Sequence, residues 1–213
     1  MAALTRWWRL CANCGTGSLP DSGSRPHDPD LLDLLAGYTV QPFAGVVWRA
    51  TRLSQDPTAF SYRGGRWAPP SSYQSVPVLY TSCERDGAIA EMSSWLALLT
   101  PPPTKPVLIH KLTVRAEQVI TLDEADLTRL GIDARTYDTR SYVGMGEAPP
   151  SRTQEIGAAI SFLGVDGLRV PSARWSCDNV ILYDNLDLAF AIDVEETLEV
   201  SWTEWRELNL PDG

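Results

Sequence analysis

Four arginines stand close together in a chain that is otherwise acidic. Between Leu34 and Cys83 lie Arg49, Arg52, Arg63 and Arg66 with Asp56 as the lone carboxylate, although the 213-residue chain carries a net charge of −9. A guanidinium donates two parallel hydrogen bonds from a fixed plane, which is the geometry a phosphate accepts. The segment is therefore suited to collecting an anionic small ligand. Solvated surface arginines would give the same count, and the residues alone weigh the two readings equally. Within this segment Gly64-Gly65-Arg66-Trp67 supplies backbone that a ligand can approach closely or that can turn with positive φ. An ordinary turn explains it as well, for it matches neither a P-loop nor a dinucleotide fingerprint.

Two further residues invite chemistry. Glu91 falls among Ala88, Trp95 and Leu98 on an otherwise apolar helix face. A carboxylate there finds a polar partner or carries a desolvation cost. Structural pairing with an arginine is the commoner fate of such a group, and catalysis the rarer. Ser172, in Pro171-Ser172-Ala173-Arg174 after a short strand, has a hydroxyl that could hydrogen-bond a ligand. There is no G-x-S-x-G elbow and no histidine placed to activate it, which excludes a serine hydrolase.

Other chemistries fare worse. Cys11 and Cys14 form a lone C-x-x-C, and Cys83, Cys177, His27 and His110 show no ligand spacing, so no metal is expected and the cysteines read as reduced thiols. An acidic chain repels nucleic acid, which binds chiefly through its phosphates. A basic protein partner is compatible with the charge but weakly indicated by it. No apolar run approaches the roughly 18 residues of a membrane span. The opening MAALTRWWRLCANCG is interrupted by Arg6 and Arg9 and makes a poor secretory signal, so a cytoplasmic location is expected.

The elements that must position these groups can be read from pattern. Residues 1–40 read as an N-terminal leader, loop-like through GTGSLPDSGSRPHDPD, with a short helix from Asp30 that Gly37 stops. Residues 41–213 read as one domain; the whole chain is 44% hydrophobic, and six of its eight tryptophans fall in this part, where they can build a core. Strands are expected at 45–51, 76–82, 107–114, 118–122, 168–170, 179–183 and 197–202, and residues 52–75 as a long loop. A helix is expected over 82–99, opened by a Thr81/Glu84 capping box and ended by Pro101-Pro102-Pro103. Ile89, Met92, Leu96 and Leu99 share one of its faces. Helices also follow at 124–131, with Gly131 past the end, and from a Ser151/Gln154 capping box to Gly164. Asp166-Gly167 reads as a turn. Strands and helices mix without a βαβ rhythm, which favours α+β over a doubly wound sheet.

Taken together, the motifs resemble the RES domain, named for an Arg, a Glu and a Ser. The resemblance rests on VVWRA at Arg49, GGRW at 64–67, VPVLYTS at 76–82, Glu91 eleven residues after Tyr80, and GVDGLRVPSAR followed by NVILY. It covers roughly residues 45–185 and departs from the family at Ala68, usually Asn, and in a lengthened stretch between Arg66 and Tyr80. The resemblance implies an ADP-ribosyltransferase-like fold, with a core of mixed and antiparallel sheet and flanking helices. It implies a bacterial toxin held by an Xre-like antitoxin that consumes NAD⁺ as substrate by hydrolysis or phosphorolysis, or transfers ADP-ribose to a protein. On that analogy Arg49 and Arg66 hold the dinucleotide's phosphates or ribose, with Arg49 also in the catalytic set. Tyr80 stacks on the nicotinamide side, Glu91 is the catalytic carboxylate and Ser172 helps position the ligand. A non-enzymatic nucleotide-binding module is the remaining alternative. The acceptor, the antitoxin's identity and any homo-oligomer are left open by the sequence.

Overall fold

The computed structural model describes residues 27–71, 73–74, 76–133, 137, 149–184 and 191–210. Most of the leader, including Cys11 and Cys14, lies outside them. Helix α1 (Pro29–Ala36) begins where the Asp28 carboxylate accepts the Asp30 N–H at 3.0 Å, and ends at Gly37. Its Leu31 and Leu35 are buried.

The sheet is mixed, with one parallel pairing among antiparallel ones, in an α+β chain. Strand β1 (Val40–Thr51) runs antiparallel to the long β3 (Val107–Thr121), with one register shift between Gln41 and Phe43. Pro42, which has no N–H to give to a ladder, sits at that irregularity. Strands β2 (Val78–Ser82), β5 (Asp178–Tyr183) and β4 (Gly167–Pro171) pair antiparallel in that spatial order. A short parallel contact joins β4 to β3, and a single pair, Trp48 with Ser82, joins β1 to β2. The strands therefore close a ring, β1-β2-β5-β4-β3 and back to β1, with β6 (Ala191–Val200) outside on β3.

Helix α2 (Arg85–Leu96) follows β2, and α3 (Glu124–Arg129) follows β3. Helix α4 (Arg152–Phe162) precedes β4, and α5 (Trp202–Asn209) follows β6. Alternation sorts the side chains into layers. Val180 and Leu182 pack with Val47, Leu79, Leu112 and Val114 in one cluster, while Ile181 and Tyr183 pack with Ile156 and Ile160 of α4 in another. Both faces of β5 are covered, which is why NVILY is apolar almost throughout. A third cluster seats α2 and α5 against β1 and β3 through Ile89, Leu96, Ile109, Trp202 and Trp205. Full burial of each large side chain contributes about 1.5–3 kcal/mol.

Five expectations need correction. Thr81 does not cap α2; it lies in β2 and its buried hydroxyl donates to the Val180 carbonyl at 2.6 Å. Glu84 is the extended N-cap and makes no side-chain cap bond. The helix also stops short of the prolines, at Leu96, in tight turns from Leu98 N to Trp95 O and Leu99 N to Leu96 O. The two strands expected at 107–114 and 118–122 are one, because buried Asp166 accepts the N–H groups of Glu117 and Gln118 at 2.7 and 2.9 Å. Asp166-Gly167 is accordingly no free turn, and Gly167 opens β4. Trp202 begins α5 instead of ending a strand, since Ser201 accepts the Glu204 N–H and the indoles of Trp202 and Trp205 bury together.

Candidate active site

Because β1 and β2 share a single ladder pair, they part on the side of the 52–77 loop, and α2 crosses the opening. The result is a cleft of about 570 Å³ walled by β1, β2, the loop and α2. Arg49, Arg66, Tyr80 and Glu91, four of the five residues expected at a site, line it together.

Arg49 projects from β1 near the loop. Its Nη2 donates to the Ala59 carbonyl at 3.0 Å, and its Nη1 is buried without a partner among the described residues. Burial lowers its pKa to about 10, with Asp56 opposing the shift. The group remains charged at neutral pH, but it is poorly solvated and lacks a full set of acceptors. An anion in the cleft would supply the missing countercharge. Arg52, Arg63 and Arg174 also line the cleft, giving five arginines against one lining carboxylate, Glu91. The guanidinium of Arg52 lies 4.6 Å from the centre of the Trp95 ring, so this cation–π pair links the loop after β1 to α2 at the cleft.

Glu91 reaches the cleft because helical periodicity places it with Ala88, Trp95 and Leu98, which line the same wall. Ile89 and Leu96 turn inward to the core. The carboxylate has no arginine partner among the described residues. Its Oε1 accepts two hydrogen bonds, from Ser172 Oγ and from Asn179 Nδ2, each at 3.0 Å. No protein donor to its Oε2 is found among the described residues. Ser172 thus stands behind Glu91 at the end of β4 instead of lining the cleft. The turn between β4 and β5, closed by Ser172 N to Cys177 O at 2.7 Å, brings Ser172 and Asn179 to the same oxygen.

The GGRW segment is held from two sides. Gly64 adopts φ +77°, and a side chain on Gly65 would strike the Tyr80 hydroxyl at 2.6 Å. That hydroxyl accepts the Trp67 N–H at 3.0 Å, while Gln154 of α4 donates to the Gly65 carbonyl at 2.9 Å. Gln154 also closes the capping box with Ser151, so the helix start and the loop are fixed by one residue. Arg66 packs over the Tyr137 ring at 4.8 Å and donates to the Tyr137 carbonyl. Ala68 is fully buried in the core beside Trp67, so the residue in which this chain departs from the family pattern faces away from the cleft.

Sequence reasoning missed Asn179, whose only outward sign is a polar residue opening a buried strand. It also passed over Arg174 as a cleft residue. His110 is buried between Thr51 and Thr197, at 2.8 and 2.9 Å, and is not among the lining residues. Burial and the nearby Arg49 charge lower its pKa. Among the described residues no group of three or more His, Cys, Asp or Glu could hold a metal. Burial pushes the Cys83 and Cys177 thiols up. No described helix is long and apolar enough to cross a membrane.

Comparison with known proteins follows the same lines. A family model described as the RES domain matches residues 46–203. No curated protein sequence matches. Among solved structures, a chain of the M. tuberculosis MbcT–MbcA toxin–antitoxin complex superposes with a TM-score of 0.65. The match covers 85% of this chain and 97% of that one at 16% identity, which shows a shared fold.

Proposed function

The chain belongs to the RES-domain family, and on that premise we propose that it consumes NAD⁺ by cleaving the nicotinamide–ribose bond. The observation that carries the reading is Glu91. One of its oxygens is held by two neutral donors, the other has no protein partner among the described residues, and the carboxylate faces a cleft whose other charged lining residues are all arginines. Heterolysis sends the bond's electron pair to the ring nitrogen, and nicotinamide departs neutral. The ribosyl carbon gains oxocarbenium character, as in glycoside cleavage. A fixed anion beside that carbon stabilises the charge as it develops. Arg49 and Arg66 clamp the pyrophosphate and set the distance of the sugar from Glu91. Tyr80 offers its ring to the nicotinamide side, and Ser172 orients Glu91. No general acid is required, because the leaving group needs no proton. With water as acceptor, the products are ADP-ribose, nicotinamide and a proton.

The chain is further proposed to act as the toxin of a toxin–antitoxin pair, since a protein of the same fold is part of a toxin–antitoxin complex; an Xre-like antitoxin is what the family resemblance implies. The test is the NAD⁺ level in cells after brief induction of the wild type and of Glu91→Gln. Collapse with the wild type alone supports the reading. Growth arrest at constant NAD⁺ would replace it with ADP-ribosylation of a scarce protein. Product analysis assigns the acceptor: free ADP-ribose for water, its 1″-phosphate for phosphate, and labelled protein for transfer.

A further inference from the structure

We infer that Asn179 is a positioning residue that pins Glu91 through Oε1 and turns its other oxygen to the cleft; this rests on the proposed role of Glu91. The two donors to Oε1 differ in kind. A hydroxyl donates or accepts, so Ser172 Oγ suits either form of the carboxyl group. An amide nitrogen only donates, so Asn179 Nδ2 requires Oε1 to be an acceptor and keeps any proton off that oxygen. Asn179 cannot readily move away, because its backbone sits in the sheet between Ser82 of β2 and Val170 of β4. Turning its amide over would bring a carbonyl oxygen to the carboxylate at a distance now occupied by a 3.0 Å hydrogen bond. The amide holds its orientation even though its own Oδ1 is buried without a partner among the described residues. A residue serving packing alone gains nothing from that arrangement, whereas a residue serving Glu91 does. The result is a carboxylate pinned through one oxygen, with Oε2 left for the sugar.

The ionisable surroundings of Glu91 allow a clean pH test. The other charged residues that line the cleft are its five arginines. The Cys177 thiol in the neighbouring turn is shifted upward, and Asp178 is bound by Arg169 at 2.8 Å. On α2 itself, Glu84 accepts from Trp175, and Asp86 from Arg85 and Trp205.

The experiment measures kcat and KM for NAD⁺ between about pH 5.5 and 8 in the wild type, Asn179→Ala and Asn179→Asp. Loss of a donor to a charged group predicts that Asn179→Ala lowers kcat by about 10- to 100-fold with KM little changed. Asn179→Asp sets two carboxyl groups at hydrogen-bond distance, where they cannot both be charged and must share a proton. Its activity is therefore absent at the alkaline end and recovers on acidification, when the introduced carboxyl can donate to Oε1. An Asn179→Asp profile parallel to the wild type overturns the inference, as does an Asn179→Ala enzyme that changes in KM alone. A second readout needs no turnover: the carboxyl carbon resonance of Glu91, identified as the signal missing from Glu91→Gln, should move in Asn179→Ala. If the wild type consumes no NAD⁺, the proposed function falls, and that resonance still decides the contact. An unmoved signal overturns the inference by itself.

Discussion

Replacing Glu91 by glutamine isolates the charge from the shape of the site. The amide oxygen can still accept from Ser172 Oγ and Asn179 Nδ2, now both at 3.0 Å, so the local scaffold is kept. Alanine would instead leave two donors without their acceptor, at about 1–3 kcal/mol each where water cannot replace it. What glutamine removes is one negative charge beside the ribosyl carbon. A unit charge about 4 Å from a developing positive centre, at an effective dielectric constant of about 20, contributes about 4 kcal/mol. That corresponds to about a 10³-fold loss in kcat. The assay is steady-state NAD⁺ loss followed by chromatography of nicotinamide and the ADP-ribosyl product. Calorimetric binding of ADP-ribose serves as the control for an intact site. A Glu91→Gln enzyme within about tenfold of the wild-type kcat, with ADP-ribose affinity unchanged, would refute the electrostatic reasoning.

Three further outcomes are expected. Arg49→Ala should raise KM by about 10- to 100-fold as a charge-assisted contact is lost, and Arg49→Lys should recover only part of it. Because burial lowers the Arg49 pKa to about 10 and the cation is the form below that value, NAD⁺ affinity should fall as pH rises through 10. His110, whose pKa burial and Arg49 lower, takes up its proton less readily folded than unfolded. Stability should therefore be fully present above pH 6.5 and decline as pH falls through the folded value. Urea midpoints at about pH 7.5 and about pH 5.5 should differ less in His110→Gln than in the wild type. Part of the difference should persist, because partial burial of His27 shifts it in the same direction. Finally, a methyl group at Gly157 would overlap the Trp67 carbonyl. Gly157→Ala should lose about 1–3 kcal/mol in denaturant unfolding and disturb the GGRW loop, raising KM; an unchanged midpoint and KM would show that the helix does not hold the loop.

Features that depend on bonds within a few residues or on a repeating period can be read directly along the chain. Asp28 and Gly37 bound α1, the Ser151/Gln154 box opens α4, and Gly131 and Gly164 take positive φ after their helices. The 3.6-residue period put Glu91 on the wall with Trp95, apart from Ile89 and Leu96. The order of Arg49, GGRW, Tyr80 and Glu91 carried the family resemblance. Which distant groups meet follows from the assembled sheet and its turns. The Thr81/Glu84 spacing is a valid capping signal, but Thr81 was already committed to the neighbouring strand. The polar run around Glu117 looked like a strand break until Asp166, 49 residues away, satisfied its N–H groups. Ser172 and Asn179 find Glu91 across 81 and 88 residues, and nothing local marks either as its partner. Local signals record short hydrogen bonds and burial of a face. The partners of the half-buried Glu91 carboxylate are fixed by sheet order and turn closure, which arise only when all the strands are in place.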